Sequence, residues 1–360
     1  MNISLGRLDR YIVRSILEGV LLVALVLMSL GLLFLFLGQQ DDIGRGTYGF
    51  ADALWFSLLN MPQQVWDLLP ISALIGGMLA LGNLARGSEL IVMRASGWSM
   101  GRFLRPVTVA GLLLVMLGTL VGEWLAPPMQ QLARQHKLFS KFEDVSFAGR
   151  GEAWVRDGSL IINIERQSGS GQYGGMMIYE INAQHRLSSL GRAATASVDA
   201  AGGWSLDQYA ESRFDAETVQ AGRKASHSLQ SNLSTEFIGI AATTPSDLPS
   251  AALWRLWRHL ATNQLDTEQT EFAFWSRIAR GLAPIAALWL ALPFAFGSLR
   301  SAGAGGRVAV GLAIGIGFFL MQKMLESGVT VFGGHPFVWA WLPTGLMVLA
   351  AWLLLRRVGG

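Results

Sequence analysis

The sequence predicts an α-helical membrane protein of six transmembrane helices with an inserted all-β, periplasmic jelly-roll domain. Three observations carry that expectation. Half of the 360 residues are hydrophobic (51%) and only 15% are charged, a balance that belongs to membrane proteins. Apolar runs of about 20 residues, the length that crosses a ~30 Å hydrocarbon core, recur three times before Pro127 and three times after Glu271. Between them the chain turns polar and Gly/Ser-punctuated, with alternation of period two and no run long enough to span. The expected divisions are therefore spans 1–3 in 1–126, the inserted domain in 127–271 and spans 4–6 in 272–360.

Span 1 is expected over Ile12–Leu37, uncharged from Gly19 onward. Arg7, Arg10 and Arg14 precede it as they would a signal peptide. The run Gly19–Leu37 is too long for one and lacks a small-residue cleavage site, so it reads as a retained span. Trp55–Trp66, aromatic and amphipathic with Pro62 inside it, suits an interfacial half-helix. The clean apolar run Leu68–Leu84, opened by Pro70, is span 2, and Pro106–Trp124 is span 3. After the inserted domain, Ser250 is placed to cap an interfacial helix, residues 250–261, with Leu253, Trp254, Leu256, Trp257 and Leu260. Spans 4, 5 and 6 follow at Ile278–Leu299, Val308–Val331 and Phe337–Leu355.

Basic residues crowd one set of ends: Arg7–Arg14, Arg86–Arg105, Arg300/Arg307 and Arg356/Arg357. The opposite loops, around Asp41–Arg45 and Gly333–His335, are nearly free of them. The positive-inside rule then puts both termini in the cytoplasm and the inserted domain outside. Within that domain short alternating runs appear at Ala153–Val155, Leu160–Ile164, Met176–Ile181, Ala194–Val198 and Trp204–Tyr209. Asp157-Gly158, Gly169–Gly175 and Gly202-Gly203 are the turn signals between them. Short strands at this spacing favour a sandwich or jelly roll, whose open edges are either covered or able to add a strand from another protein.

Several function classes are excluded by motif. Cysteine is absent, so disulfides, Cys-zinc sites and thiol catalysis are ruled out. No Gly-Lys-Ser/Thr step exists for a phosphate loop, no H-E-x-x-H for a zinc protease, and no G-x-S-x-G elbow precedes a helix. The expectation is a non-catalytic chain with no bound metal or cofactor. A formal charge of +3 is too small to argue for nucleic acid.

The loop between spans 2 and 3 is more informative. Ser88 is placed to cap a helix Glu89–Ala95 and Gly97 to end it in the left-handed position, with Glu89 favourably set at the first turn. Two readings fit a short charged helix there: a lever seated in a separate ATPase, or a membrane-surface helix carrying positive-inside residues.

At this loop the sequence resembles a known family. Arg86-Gly-Ser-Glu89-Leu-Ile-Val-Met-Arg94-Ala-Ser-Gly97-Trp is similar to the coupling segment of the LptF/LptG permeases, which extract lipopolysaccharide from the inner membrane. Leu8-Asp9-Arg10-Tyr11, Gly122-Glu123-Trp124-Leu-Ala126-Pro127 and Glu271–Arg277 with Trp275 resemble it too, and the first two favour the LptG branch. The resemblance runs nearly end to end. It implies a heterodimer with an LptF-like subunit on an LptB-like ATPase dimer, which would bind ATP and Mg, and an LptC-like bridge protein. It further implies that Glu89, flanked by Arg86 and Arg94, makes the ATPase contact, where a charge-assisted hydrogen bond would transmit force.

The remaining candidates combine pattern and resemblance. Leu30, Leu33, Phe34 and Leu37 recur at helical spacing on span 1, and Leu68 stands beside Pro70. The resemblance makes them a lipid cavity, while plain helix packing predicts the same pattern. Gly311 and Gly315, with Gly317 nearby, give span 5 a small-residue face for close approach at the lateral gate that the resemblance implies. Lys323 and Glu326 lie one turn apart in its outer half, to pair with each other or to snorkel. Arg134 and Lys137, after span 3, would contact the phosphorylated head group, since both side chains suit phosphate. The lysines that family members carry near the outer end of span 1 are replaced by Gln39, Gln40, Asp41 and Asp42. Those contacts are not carried over, and a divalent cation bridging the acids to phosphate is the alternative there. Two rival functions share most of these features: a membrane anchor presenting a β-domain to envelope partners, and a permease half for another lipid or a peptide.

Overall fold

A computed structural model of the chain describes residues 6–141, 150–157, 159–167, 172–182, 184, 186–198, 204–215, 218–229, 245–296 and 303–359. The turn glycines expected at 158, 169–171 and 202–203, and Arg300, lie outside the described residues. The chain divides into two compact units. One comprises Met1–Gln40, Ser57–Leu132 and Glu268–Gly360, the other Asp41–Phe56 and Ala133–Thr267. These divisions stand beside the boundaries expected at 126/127 and 271/272, and they add Asp41–Phe56 to the inserted unit.

The first unit is a helical bundle. Its elements are α1 (Arg7–Leu37), α2 (Phe50–Leu59), α3 (Met61–Arg86), α4 (Glu89–Ala95), α5 (Met100–Leu120), α6 (Ala126–Lys141), α8 (Glu268–Phe296), α9 (Ala304–Phe332) and α10 (Pro336–Gly359), with α2 and α6 running on into the second unit. Among the described residues, six helical runs are long and apolar enough to cross a membrane: Arg7–Asp42, Met61–Arg86, Met100–Lys137, Glu268–Phe296, Ala304–Gly328 and Pro336–Arg357. The predicted six-span pattern is present, with span 2 longer than expected. Pro62 does not sit inside an interfacial half-helix. It occupies the first turn of α3, after a break at Asn60. There its missing N–H is one of the groups a helix start leaves unbonded anyway.

Burial ranks the helices. The most apolar window of α3 is 83% buried and that of α8 67%, against 11% for α1, so α3 and α8 form the centre and α1 is peripheral. Lipid tails are as apolar as leucine, so small residues and close packing have to hold such a bundle. Gly19 and Gly76 cross so closely that a Cβ on Gly19 would stand 2.7 Å from the Gly76 carbonyl. Gly77 takes Leu288 and Gly111 takes Ile285, while α8 turns Ala279, Ala283, Ala286, Ala287, Ala291 and Ala295 inward.

The second unit carries a six-stranded antiparallel sheet of β1 (Arg150–Asp157), β2 (Leu160–Gln167), β3 (Gln172–Ile181), β4 (Leu187–Val198), β5 (Trp204–Phe214) and β6 (Val219–Leu229). Each strand pairs with its sequence neighbour, in the order β1-β2-β3-β4-β5-β6. The described strands thus form a meander, without the crossovers that two Greek keys would add to a jelly roll. Ile162, Ile164, Tyr173, Met176, Ile178, Ala193, Ala196, Trp204, Leu206 and Tyr209 form one buried apolar cluster. Strict alternation is broken twice, between Tyr173 and Met176 at Gly175 (φ +66°) and between Leu206 and Tyr209 at Gln208 (φ +52°). A left-handed residue turns the strand about its axis, so the buried set changes parity there. Strand β6, without apolar alternation and exposed along nearly its length, has no signal in the sequence. The helix expected to start at a Ser250 cap, α7 (Ser250–Thr262), has Pro249 at the cap position and Ser250 inside.

Candidate functional site

Three groups of candidate residues fall within the bundle and one in the second unit. At the arginine-rich end, α4 spans Glu89–Ala95 as expected, but its cap differs. Ser88 is left-handed (φ +63°) and its hydroxyl bonds no helix N–H, so its carbonyl alone starts the helix, accepting from the Val92 N–H at 2.9 Å. The far end matches expectation. Gly97 at φ +94° lets its own N–H reach the Arg94 carbonyl and that of Trp98 the Met93 carbonyl, the paired bonds of a Schellman stop. Leu90, Met93 and Trp98 are buried with Phe103 in the main core, so α4 is seated on the bundle by one face while Val92 on another is 65% exposed. The Glu89 carboxylate faces the Tyr11 hydroxyl of α1. The Arg94 guanidinium stands 5.8 Å over the Phe296 ring of α8, and Arg86 ends α3, exposed. Glu89, predicted to point at a partner, thus also faces span 1.

Along α1, Leu30, Leu33, Phe34 and Leu37 are all exposed, Phe34 most at 69%, and the stripe continues through Leu21, Leu22, Leu25 and Val26. Leu68 does not join it. It is half-buried and packs on Val23, Ile71 and Ile75. Nearer the arginine-rich end, α1 and α5 enclose a groove of about 320 Å³ between Val13, Leu17 and Leu21 and Val109 and Leu113, with Arg10, Arg14 and Glu18 among its lining residues. Gly311 and Gly315 do mediate close approach, to α3: added Cβ atoms would meet Ile75 Cγ1 at 3.0 Å and Ile71 Cγ2 at 2.8 Å. Gly317 faces open space. Lys323 Nζ donates to Glu326 Oε2 at 2.9 Å, the pairing expected from their spacing.

The opposite end of the bundle holds a buried polar network that pattern reading missed. Arg277 of α8 is 6% exposed and donates through Nε to the Glu123 carboxylate and through Nη2 to the Gly122 carbonyl. The residues it grips, Val121–Leu125, form a π-helical turn between α5 and α6. An arginine claiming the Gly122 carbonyl removes an acceptor from the ordinary helical ladder, a local cause for such a bulge. Trp66 fills the space over Gly118 and Gly122 and lies 5.6 Å from the Arg277 guanidinium. One turn on, Arg280 Nη1 pairs with Asp67 of α3 at 2.8 Å. Trp275 and Phe337 pack edge to face at 5.0 Å beside it in sequence. The signal available was an ionisable residue at the edge of each of three spans, which is costly unless paired.

In the second unit, Arg134 and Lys137 lie three residues apart on α6, each with an internal carboxylate. Arg134 Nη1 meets Asp247 Oδ2 at 2.9 Å, and Lys137 Nζ meets Asp42 Oδ2 at 2.7 Å while lying 4.8 Å over the Phe56 ring. Asp42 also pairs with Arg45 at 3.5 Å. Between the two, His136 Nε2 stands 2.7 Å from Asp52 Oδ1, and Asp52 accepts the Gly49 N–H at 2.8 Å. These contacts hold the Asp52 carboxyl below its usual value, the Gly49 N–H first and His136 next. Tyr48, 1% exposed, is pushed up to about 12 by burial and then by the charges of Asp42 and Asp52. The acidic pair read as a departure is therefore partly the counter-charge of the basic exit residues. Among the described residues no group of three or more His, Asp or Glu side chains is placed to hold a metal ion.

With this geometry in hand, the comparisons with known proteins are specific. The family model "Lipopolysaccharide export system permease LptF/LptG" matches residues 10–357. Lipopolysaccharide export system permease protein LptG of Escherichia coli (strain K12) is 32% identical over 355 residues, covering 98% of this chain and 99% of that protein. The LptG of Haemophilus influenzae is 29% identical over 354 residues, with the same coverage.

Proposed function

We infer the function from one premise: the chain belongs to the LptF/LptG family of lipopolysaccharide export permeases. It is an LptG-like, multi-pass permease subunit of the inner membrane that works with a second permease subunit. The observation that carries this reading is the alignment from end to end, which takes in spans and inserted β-unit alike. Both termini and the α4 end face the cytoplasm, by the distribution of arginines, and the β-unit faces the periplasm.

In the working cycle an LptB-like ATPase dimer binds ATP and Mg and closes. Glu89 passes that movement to α4, whose buried Leu90, Met93 and Trp98 make it move with the bundle. The apolar stripe of α1, with Phe34 at its most exposed point, contacts the acyl chains of lipopolysaccharide in a cavity shared with the LptF-like subunit. α9 serves as the gate, its Gly311/Gly315 face allowing it to slide on α3. The head group meets Arg134 and Lys137, whose partners Asp247 and Asp42 yield to phosphate, and the lipid passes on toward an LptC-like bridge.

The test is reconstitution of the chain with its permease partner and ATPase in lipopolysaccharide-loaded proteoliposomes, scoring transfer to the soluble bridge domain. ATP-dependent transfer is expected, abolished by Glu89→Arg but not by Tyr11→Phe, which removes only the internal contact of Glu89. Transfer that survives Glu89→Arg would contradict the coupling role. A cargo other than lipopolysaccharide would show as ATP hydrolysis without transfer and indifference to Arg134→Ala/Lys137→Ala.

A further inference from the structure

We propose that the groove between α1 and α5 at the arginine-rich end binds an anionic glycerophospholipid of the cytoplasmic leaflet. Its phosphate lies on the arginines and one acyl chain lies in the groove. The walls are apolar, with Val13, Leu17 and Leu21 of α1 and Val109 and Leu113 of α5. Arg10 and Arg14 line the same groove, so the cations and the apolar wall belong to one surface. Both are exposed, and Arg10 makes no ion pair among the described residues. Arg14 gives Nε to Glu18 Oε1 at 2.7 Å, which leaves its terminal N–H groups to a second acceptor. α1 and α5 both start at this end, at Arg7 and Met100. The exposed Arg105 lies one turn before Val109, on the same face of α5. Glu18 sits one turn deeper along α1 than Arg14 and is already paired, so the phosphate belongs ahead of it, towards Arg10 and Arg105. Guanidinium forks suit phosphate oxygens, and a basic pocket between spans on the cytoplasmic side is an arrangement that holds anionic head groups.

The shape of the groove selects a lipid over a protein segment. Its lining on α1 runs from Arg10 to Leu21, a rise of ~16 Å at ~1.5 Å per residue. A volume of about 320 Å³ spread over that length leaves a cross-section of ~20 Å². One alkyl chain, whose carbons pack ~4 Å from their neighbours, fills such a channel. A helix ~10 Å across does not enter it. The residues assigned to lipopolysaccharide, Leu30 to Leu37, lie further along α1 towards its opposite end, so the two lipids occupy different parts of one helix. The choice of leaflet rests on the orientation read from the arginines. The binding chemistry does not.

Native mass spectrometry of the full permease complex, in nanodiscs of equal phosphatidylglycerol and phosphatidylcholine, counts the lipid retained. Phosphatidylglycerol retained in excess is expected, falling at least tenfold in Arg10→Gln/Arg14→Gln and also in Leu113→Trp. The first variant removes phosphate contacts. The second fills the groove from an exposed position outside the main core, so it leaves the bundle folded. Arg357→Gln removes an exposed cation near the end of α10 and should keep wild-type retention. Equal retention of the two lipids, retention unchanged in either groove variant, or an equal fall in Arg357→Gln overturns the site. A photoreactive residue at Leu113 then identifies the occupant: a phospholipid adduct is expected, and a polypeptide or lipopolysaccharide adduct overturns the assignment. Lipopolysaccharide transfer enters none of the retention readings, so failure here is separable from failure of the export reading.

Discussion

Asp52 shows how single residues organise the second unit. Its carboxylate gathers the Gly49 N–H and His136, and both hold its pKa below the ordinary 3.8. A carboxyl whose folded pKa is depressed adds stability above its unfolded value and loses it as pH falls through the folded one. Acidification below about pH 4 should therefore lower the unfolding temperature of the wild type more steeply than that of Asp52→Asn. Parallel curves, followed by circular dichroism of the β-unit, would remove Asp52 from the account. Spacing alone put Arg134 and Lys137 on one helix face, and that much was legible. Their partners Asp247 and Asp42 were not, because those pairs join positions 113 and 95 residues apart (247 − 134 and 137 − 42), and no local period encodes them.

Among the elements, the number and order of the spans and the bounds of α4 could be read, because length, hydropathy and a left-handed glycine act locally, while the polar ends of the helices, such as residues 268–277 before span 4, carry no hydropathy signal. The break at Asn60, the edge strand β6 and the π turn at Val121–Leu125 could not. The first two lack a periodic signal, and the third depends on Arg277 arriving from another helix. The Arg277–Glu123 pair sets a prediction at this scale. Arg277→Met takes from the half-buried Glu123 carboxylate the cation it meets on α8, which should cost ~3 kcal/mol. It should also let residues 121–125 relax toward an ordinary α-helix. Adding Glu123→Gln should recover part of the loss, since a neutral polar group is cheaper to bury than a charge. Thermal unfolding of the wild type, the single and the double variant in detergent measures the loss and the recovery. A single variant as stable as wild type would mean the pair contributes nothing to the bundle.

Across the whole molecule, burial is distributed for a purpose. α3 and α8 form a packed centre, whereas α1 keeps one flank in the core through Ile12, Ile16 and Val20 and exposes the other from Leu21 to Leu37. The same helix sets Tyr11 facing Glu89 of α4 and meets the start of α3 through the Gln64 bond to the Gly31 carbonyl, 3.3 Å. One continuous element thus runs from the site where a partner's ATP hydrolysis would act to the surface where lipid would lie. That is the central claim, and site-specific photocrosslinking tests it most directly. A photoreactive residue replacing Phe34, 69% exposed, is read in membranes containing the whole transporter, with and without ATP. A lipopolysaccharide adduct that falls on ATP addition, and persists when Glu89→Arg uncouples the ATPase, is the predicted result. No lipopolysaccharide adduct at Phe34 or at Leu30 and Leu33 despite an assembled complex, or an adduct indifferent to ATP, would contradict it.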